Sequence, residues 1–422
     1  MKALFRWAMA VAMIAAVVLQ GRDGWSANSQ IESIVAEAVE HNPSVIAARE
    51  HYEAQAKMPI QAATLPDPAI SFQQLTVGGP KPFEGYETSD FFFTGIGATQ
   101  EIPWPGKLRL RSDAASRDAE IAKEQLEEAR REVAEKVREN CFELFFLGQR
   151  LALLMTSRDQ LSDIAHFAED QYRIGKGQQT DLIKAQLAAT AMLKEIELAR
   201  QEIAQRQITL KSILGRDADS RNLEISDLTP TVISAGVDRD RLIELAAQNP
   251  TAVRMAEADA SKSEISLKLA QEDYIPDFTA SYTYQKTGPG FRDYYTLSLG
   301  AKIPLYFWRK QKPAVEQAAL ERESAHERLR GSKLDAIGEI DRDWISIKTQ
   351  ERVMSLYRDG LLPQARASFE SAMASYRTGR VDFQTMLSAA VEQLNMSEEY
   401  YRAITDREIA IARIEQMIGE NL

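Results

Sequence analysis

The chain repeats itself once along its length, and no other feature narrows its fold as far. Asn42-Pro43 recurs as Asn249-Pro250, and Leu65-Pro66-Asp67 as Ile275-Pro276-Asp277. Glu101-Ile102-Pro103-Trp104 is echoed by Lys302-Ile303-Pro304-Leu305, and a basic cluster follows each, Lys107 to Arg111 and Arg309 to Lys312. Tyr172-Arg173-Ile174-Gly175-Lys176 matches Tyr376-Arg377-Thr378-Gly379-Arg380, and Ile213-Leu214-Gly215 pairs loosely with Met417-Ile418-Gly419. These anchors keep their order at offsets between 201 and 210 residues. Repeats of about two hundred residues are too long to be solenoid units. The sequence therefore specifies one fold built from two similar halves, residues 28–215 and 239–422, joined by a linker at 216–238 rich in Asp, Ser, Thr and Gly.

Each half carries the same order of elements. Asn42 and Asn249 cap helices whose first turns hold Pro43 and Pro250. Two strands follow, then a very long helix, a glycine-centred turn and a return helix. From about Lys107 to Tyr172 there is no proline, and Leu126, Val133, Val137, Leu144, Leu151, Leu154 and Leu161 recur at threes, fours and sevens. At 1.5 Å per residue such a helix is roughly 100 Å long. Its counterpart, from about Pro313 to Tyr376, carries Ile337, Ile340, Trp344, Ile347, Met354 and Leu361 on its stripe. Gly331, Gly338, Gly360 and Pro363 interrupt it and predict a bend near Pro363. The return helices, Asp181 to Leu214 and Asp382 to Ile418, are about half as long. Helices starting at Pro43 and Pro250 would stack end to end on them and cover the remaining apolar stripe. Antiparallel coiled-coil pairs result, each of one continuous and one interrupted helix.

The strands alternate. Phe278 to Gln285 and Tyr295 to Ile303 place apolar residues on one face and small polar residues on the other; Ala69 to Leu75 and Phe91 to Ile102 do so less cleanly. Strands of about ten residues suit a tilted membrane crossing, and they equally suit soluble hairpins that cover a core. Val77 to Gly85 and Thr287 to Gly290 read as exposed loops. Four strands cannot close a barrel, whose smallest closed forms have about eight, so membrane strands here require several chains to share one barrel.

The ends and the composition bound the function. Lys2 and Arg6 precede an apolar run from Trp7 to Leu19, the order of a secretory signal peptide, assigned to residues 1–27 with cleavage near Gly21 or Ala27. No later apolar run is long enough for a membrane helix, so only β-strands could enter a bilayer. Mean hydropathy is −0.33. Acidic residues outnumber basic ones, 62 to 51, without a basic stripe, which argues against nucleic acid as partner. The single cysteine, Cys141, excludes an internal disulfide and any multi-cysteine metal site; flanked by Phe142, Leu144, Phe145 and Phe146, it reads as a buried apolar residue. No phosphate loop, nucleophile elbow or H-E-x-x-H motif is present. Glu323 and His326 have the E-x-x-H spacing of a di-iron half-site, without the second copy such a site needs. No cofactor or metal site is expected.

Leu65-Pro66-Asp67-Pro68, Thr99 to Lys107, Tyr172 to Gly175 with Thr180-Asp181-Leu182, and Tyr376 to Phe383 with Leu387 resemble the TolC-type outer-membrane efflux proteins, across nearly all of the chain after its leader. The resemblance implies a mainly α fold with a β-barrel part. In it, a homotrimer shares a twelve-stranded transmembrane barrel, four strands per chain, continued through the periplasm by an α-helical barrel with a mixed belt that the linker at 216–238 would join. It further implies a passive exit duct in contact with outer-membrane lipid, docked by a periplasmic adaptor of the membrane fusion class and driven by an inner-membrane pump of the RND type. Gln100 to Lys107 looks most like members that serve heavy-metal cation pumps; drugs, other organic compounds and secreted proteins are the alternatives for cargo. A soluble periplasmic coiled-coil adaptor is a different class of reading, but the chain lacks the flanking lipoyl-like or barrel domain.

In the family, Gly175 and Gly379 would form the periplasmic tip turns. Asp181, Tyr376, Arg377, Arg380 and Asp382 beside them become candidate gate contacts, with an Asp181 to Arg380 contact expected. The bland alternative is an ordinary helix-helix turn with solvated charges. Thr385 and Ser388 stand where the family often carries acidic rings, a departure that speaks against a cation-binding constriction there. Lys107, Arg109 and Arg111 would lie at the periplasmic membrane edge, either against acidic headgroups or simply solvating a helix start.

Overall fold

In the computed structural model, residues 26–85, 87, 92–175, 177–223, 225, 230–231, 238–420 and 422 are described. Most of the expected leader, residues 1–25, lies outside them, as do Phe91, Lys176 and much of the linker at 216–238. The described chain forms two compact units. One comprises residues up to Ala47, Glu127–Pro250 and Leu334–Leu422; the other comprises Ala48–Leu126 and Thr251–Lys333. Each is discontinuous because the same order of elements runs through both halves of the sequence.

The elements follow in chain order as α1 (Ser26–His41), α2 (Pro43–Gln55), α3 (Met58–Ala63), β1 (Ala69–Leu75), β2 (Phe93–Ile102), α4 (Pro105–Arg173), α5 (Gln179–Ile213), α6 (Arg239–Ala246) and α7 (Thr251–Glu272). Then come β3 (Asp277–Thr287), β4 (Tyr294–Lys302), α8 (Gln311–Leu356), a π-helical turn (Tyr357–Leu361), α9 (Leu362–Arg377) and α10 (Phe383–Ile418). Helix α4 runs 69 residues without a break, as the proline-free stripe predicts. In the second half, Gly331 and Gly338 lie inside α8 and do not interrupt it. The irregularity falls just before Pro363 instead, as one π-helical turn. Proline lacks the N–H that would close an α-helical bond, and a wider turn absorbs the defect.

The helical unit is held by apolar stripes. Leu242, Ala246, Ile340, Ile347, Ala410, Ile411, Ile414 and Ile418 form one buried cluster; Leu161, Ile164, Ala185, Phe369, Phe383 and Met386 form another. The stripe residues Ile340 and Ile347 are fully buried there. The end-to-end junctions also exist. Asn42 donates from Nδ2 to the carbonyl of Ile213, the last residue of α5, while its Oδ1 accepts from Ser44 N; Asn249 donates likewise to Ile418, the last residue of α10. One asparagine thus caps a helix start and satisfies a carbonyl left over at another helix end. Cys141 is buried, and desolvation pushes its thiol up to about 12, which leaves it inert.

The second unit contains a four-stranded antiparallel sheet in the order β1-β2-β3-β4. Strands from opposite halves pair at its centre, Phe93↔Thr287 through Ile102↔Phe278. No described helix is long and apolar enough to cross a membrane.

Candidate functional site

Two places in the chain answer to the predicted function: the helix-helix turns and the sheet. In the first turn, Gly175 takes φ 74°, its N–H reaches the carbonyl of Tyr172, and Gly177 N–H reaches that of Gln171. In the second, Gly379 takes φ 72°, its N–H reaches Tyr376, and Arg380 N–H reaches Ser375. Nothing lies within 4 Å of where a Cβ would stand at either glycine, so backbone conformation rather than space requires glycine.

Around these turns the candidate residues divide by role. Asp382 is the N-cap of α10, accepting from Thr385 N at 2.9 Å and Thr385 Oγ1 at 2.5 Å. The Thr385 side-chain bond, then the backbone bond, hold its carboxyl below the usual range. Thr385 thus has a capping use. The Tyr376 ring packs edge-on between Phe167, at 6.0 Å, and Phe383, at 5.8 Å. Burial first, and the nearby Asp181 charge second, push its hydroxyl up. Asp181 lies in the first turn of α5, where its charge complements the helix dipole. The expected Asp181–Arg380 ion pair is not formed within the chain. Arg377 and Arg380 are exposed and carry no ion pair among the described residues. A solvated guanidinium gains about 1 kcal/mol or less from a partly exposed partner, too little to draw it across the turn.

The sheet has two unlike faces. Reading straight across it, Phe72, Ile96, Tyr284 and Tyr295 form one row and Ile70, Ala98, Tyr282 and Leu297 the next. Ile70, Phe72, Ile96, Tyr295, Leu297 and Leu299 on this face are all exposed, Ile70 and Leu299 to 78%. The opposite face carries Ser71, Gly97, Thr283 and Thr296 in one row and Ala69, Thr99, Ser281 and Ser298 in another. A bare apolar face of this extent needs a nonaqueous neighbour.

At the foot of the sheet the sequence reading needs correction. Lys107 does not solvate a helix start at a membrane edge; it is 2% exposed. Its ammonium donates to Asp277 Oδ1 at 2.8 Å and to the Ile275 carbonyl at 2.9 Å, with Asp273 at 3.5 Å. Asp277 Oδ1 also accepts from Trp104 N. The two halves are therefore clamped where β2 passes into α4 and β3 begins. Sequence reasoning missed this site, although Asp277 belongs to the repeated Pro-Asp motif that marks it. His326 Nε2 faces Glu264 at 3.3 Å, and no group of three or more His, Cys, Asp or Glu residues that could hold a metal ion occurs among the described residues.

The profile of the outer membrane efflux protein family matches residues 35–216 and 242–420, one stretch in each half. The chain belongs to that family. It is accordingly an outer-membrane protein. It is 23% identical over 308 residues to the pyoverdine export outer membrane protein OpmQ of Pseudomonas putida, strain KT2440. That match takes in 71% of this chain and 64% of OpmQ, so the chain spans less than two thirds of that relative's length. Among solved structures, the outer-membrane channel OprN superposes with a TM-score of 0.80 at 15% identity, covering 93% of this chain and 90% of OprN. The outer membrane protein VceC of Vibrio cholerae gives 0.79 at 17%, covering 93% and 97%. CusC, studied for its folding and transmembrane channel formation, gives 0.80 at 13%, covering 93% and 92%. At such identities the structures speak for the fold.

Proposed function

We propose that this outer membrane efflux protein is the passive exit duct of a tripartite system: three copies close one twelve-stranded barrel, and a periplasmic adaptor couples it to an inner-membrane pump of the RND type. The observation that carries this reading is the open sheet, whose edges β1 and β4 are each paired on one side only and whose apolar face is bare. A leader at residues 1–27 would deliver the chain to the periplasm. The turns at Gly175 and Gly379 form the periplasmic gate, with Asp181, Arg377 and Arg380 making contacts between copies, Tyr376 bracing the turn and Asp382 capping the helix behind it.

Heavy-metal cations are the cargo suggested by the Gln100 to Lys107 segment. A second reading, an organic metal chelator, is favoured by the similarity to the pyoverdine export protein OpmQ. A deletion strain tests both. Lost tolerance of copper, silver, zinc, cobalt or cadmium, with chelator secretion intact, supports the first; retained chelator inside the cell with unchanged metal tolerance supports the second. Unchanged export of both, and of dyes and antibiotics, would remove the duct reading.

A further inference from the structure

The apolar face of the sheet does not end with its strands. On β4 it runs through Leu297, Leu299 and Ala301, and the same alternation carries it to Ile303, which is exposed. Four large apolar residues follow Pro304 without a break, Leu305, Tyr306, Phe307 and Trp308, each between 49% and 70% exposed. They form a folded knob rather than a loose loop. The Arg309 and Lys310 N–H groups both reach the Tyr306 carbonyl, and the Lys312 N–H reaches that of Phe307. The Trp308 ring packs edge-on with Phe307 at 5.1 Å and Tyr306 at 6.2 Å, and Tyr274 lies 6.4 Å from Phe307. Aromatic rings held in order yet left bare suit a neighbour that is apolar on one side and wet on the other.

Charge says which neighbour. Arg309, Lys310 and Lys312 follow the knob directly, all exposed and without an ion pair among the described residues. From Tyr294 to Val315 the chain has no acidic residue to answer them. The corresponding cluster of the first half differs, because Lys107 is buried on Asp277 and Arg109 faces Asp113 at 3.8 Å. The second cluster keeps its cations free.

We infer that the knob at 305–308 and the cations of Arg309, Lys310 and Lys312 form a binding surface for anionic phospholipid headgroups, in the leaflet at the end of the sheet where α8 begins. This rests on the reading of the sheet as a membrane wall and adds a headgroup preference to it. The indole and phenol rings lie at headgroup depth, apolar body toward the acyl chains and polar edge toward water. The cations beside them reach phosphate oxygens by charge-assisted hydrogen bonds. A zwitterionic headgroup sets its own ammonium against those cations, whereas a net negative one does not, so the surface discriminates by headgroup charge.

The full chain, recovered from outer membranes and reconstituted in phosphatidylcholine vesicles, provides the test. A minor share of the lipid is phosphatidylglycerol brominated near the top of its acyl chains, or brominated phosphatidylcholine for comparison; the fluorescence that disappears in Trp308→Phe isolates quenching at that ring. Both lipids should quench Trp308, with phosphatidylglycerol enriched about five-fold or more, the ratio that one cation gives at about 1 kcal/mol near an anionic surface. Replacing Arg309, Lys310 and Lys312 together by glutamine should abolish the enrichment while quenching by either lipid persists. Equal quenching by the two lipids in the native protein overturns the headgroup preference, and enrichment that survives the triple replacement overturns its assignment to these cations. Leu299→Trp in the Trp308→Phe background reports separately on the sheet. If that reporter is quenched and Trp308 is not, protein covers the knob and the lipid surface falls while the membrane wall stands. If neither is quenched, the membrane wall falls with it.

Discussion

Lys107 holds together two chain segments that are far apart in sequence. Its ammonium bridges the start of α4 to Asp277 and the Ile275 carbonyl, some 170 positions away, in a site that is 2% exposed on the lysine side and 33% on the aspartate side. Such a pair contributes little relative to an apolar substitute, but removing one member leaves a charge stranded. Asp277→Asn keeps the shape and the acceptor for Trp104 N but leaves the ammonium, still bonded to the Ile275 carbonyl, with Asp273 at 3.5 Å as its remaining counter-charge. The variant should lose about 3 kcal/mol, and adding Lys107→Met should recover part of that loss because the buried charge goes with it. Thermal unfolding of the purified protein reads this directly; an Asp277→Asn midpoint equal to the native one contradicts the clamp. Residues of this kind are the hardest to read from sequence. Lys107 looks like the first member of a solvated basic cluster, and only the pairing of β2 with β3, a contact between the two halves, brings Asp277 beneath it.

At the scale of elements, periodicity gave a close forecast: α4, α5, α10 and the strands start and stop within a few residues of where their stripes, caps and turns predicted. The failures have a common cause. Gly331 and Gly338 look like breaks, yet a glycine costs a helix only about 1 kcal/mol, and the buried cluster around Ile340 and Ile347 outweighs it. The turns were legible because positive φ demands glycine, whereas side-chain contacts across them were not, because nothing local fixes an exposed arginine. Within one chain Asp181 and Arg380 are left available, and the proposed gate uses them between copies. Replacing both by alanine should therefore raise closed-state leak in planar bilayers about five-fold or more, from loss of pairs worth about 1 kcal/mol each. Asp382→Ala is the contrasting case: it removes the cap on α10, costs about 1 kcal/mol of helix stability and leaves those charges in place. Equal leak in the double alanine variant and the native channel would make the turns ordinary connections.

For the whole molecule, the mean hydropathy of −0.33 averages long helices with polar outer faces against a small sheet with one bare apolar side. Alternation in the strands revealed the two faces, but it left open whether water-excluding protein or lipid covers the apolar one; the register across all four strands, which joins Ile70, Tyr282 and Leu297 into one row, depends on pairings that composition does not encode. Lipid and lumen can be separated at adjacent positions. Leu299 lies on the apolar face and is 78% exposed, while Ser298 lies on the polar face. An arginine at Leu299 would place its charge in hydrocarbon at a cost of about 2–4 kcal/mol per chain near the bilayer midplane, multiplied over the copies in one barrel, whereas an arginine at Ser298 would meet water in the lumen. Leu299→Arg should therefore deplete assembled protein from the outer-membrane fraction, and Ser298→Arg should assemble normally while shifting ion selectivity toward anions. The reverse pattern, with Ser298→Arg failing to assemble and Leu299→Arg tolerated, would mean that the polar face is the one turned toward lipid or buried in protein, and the sheet could not be the wall of a channel.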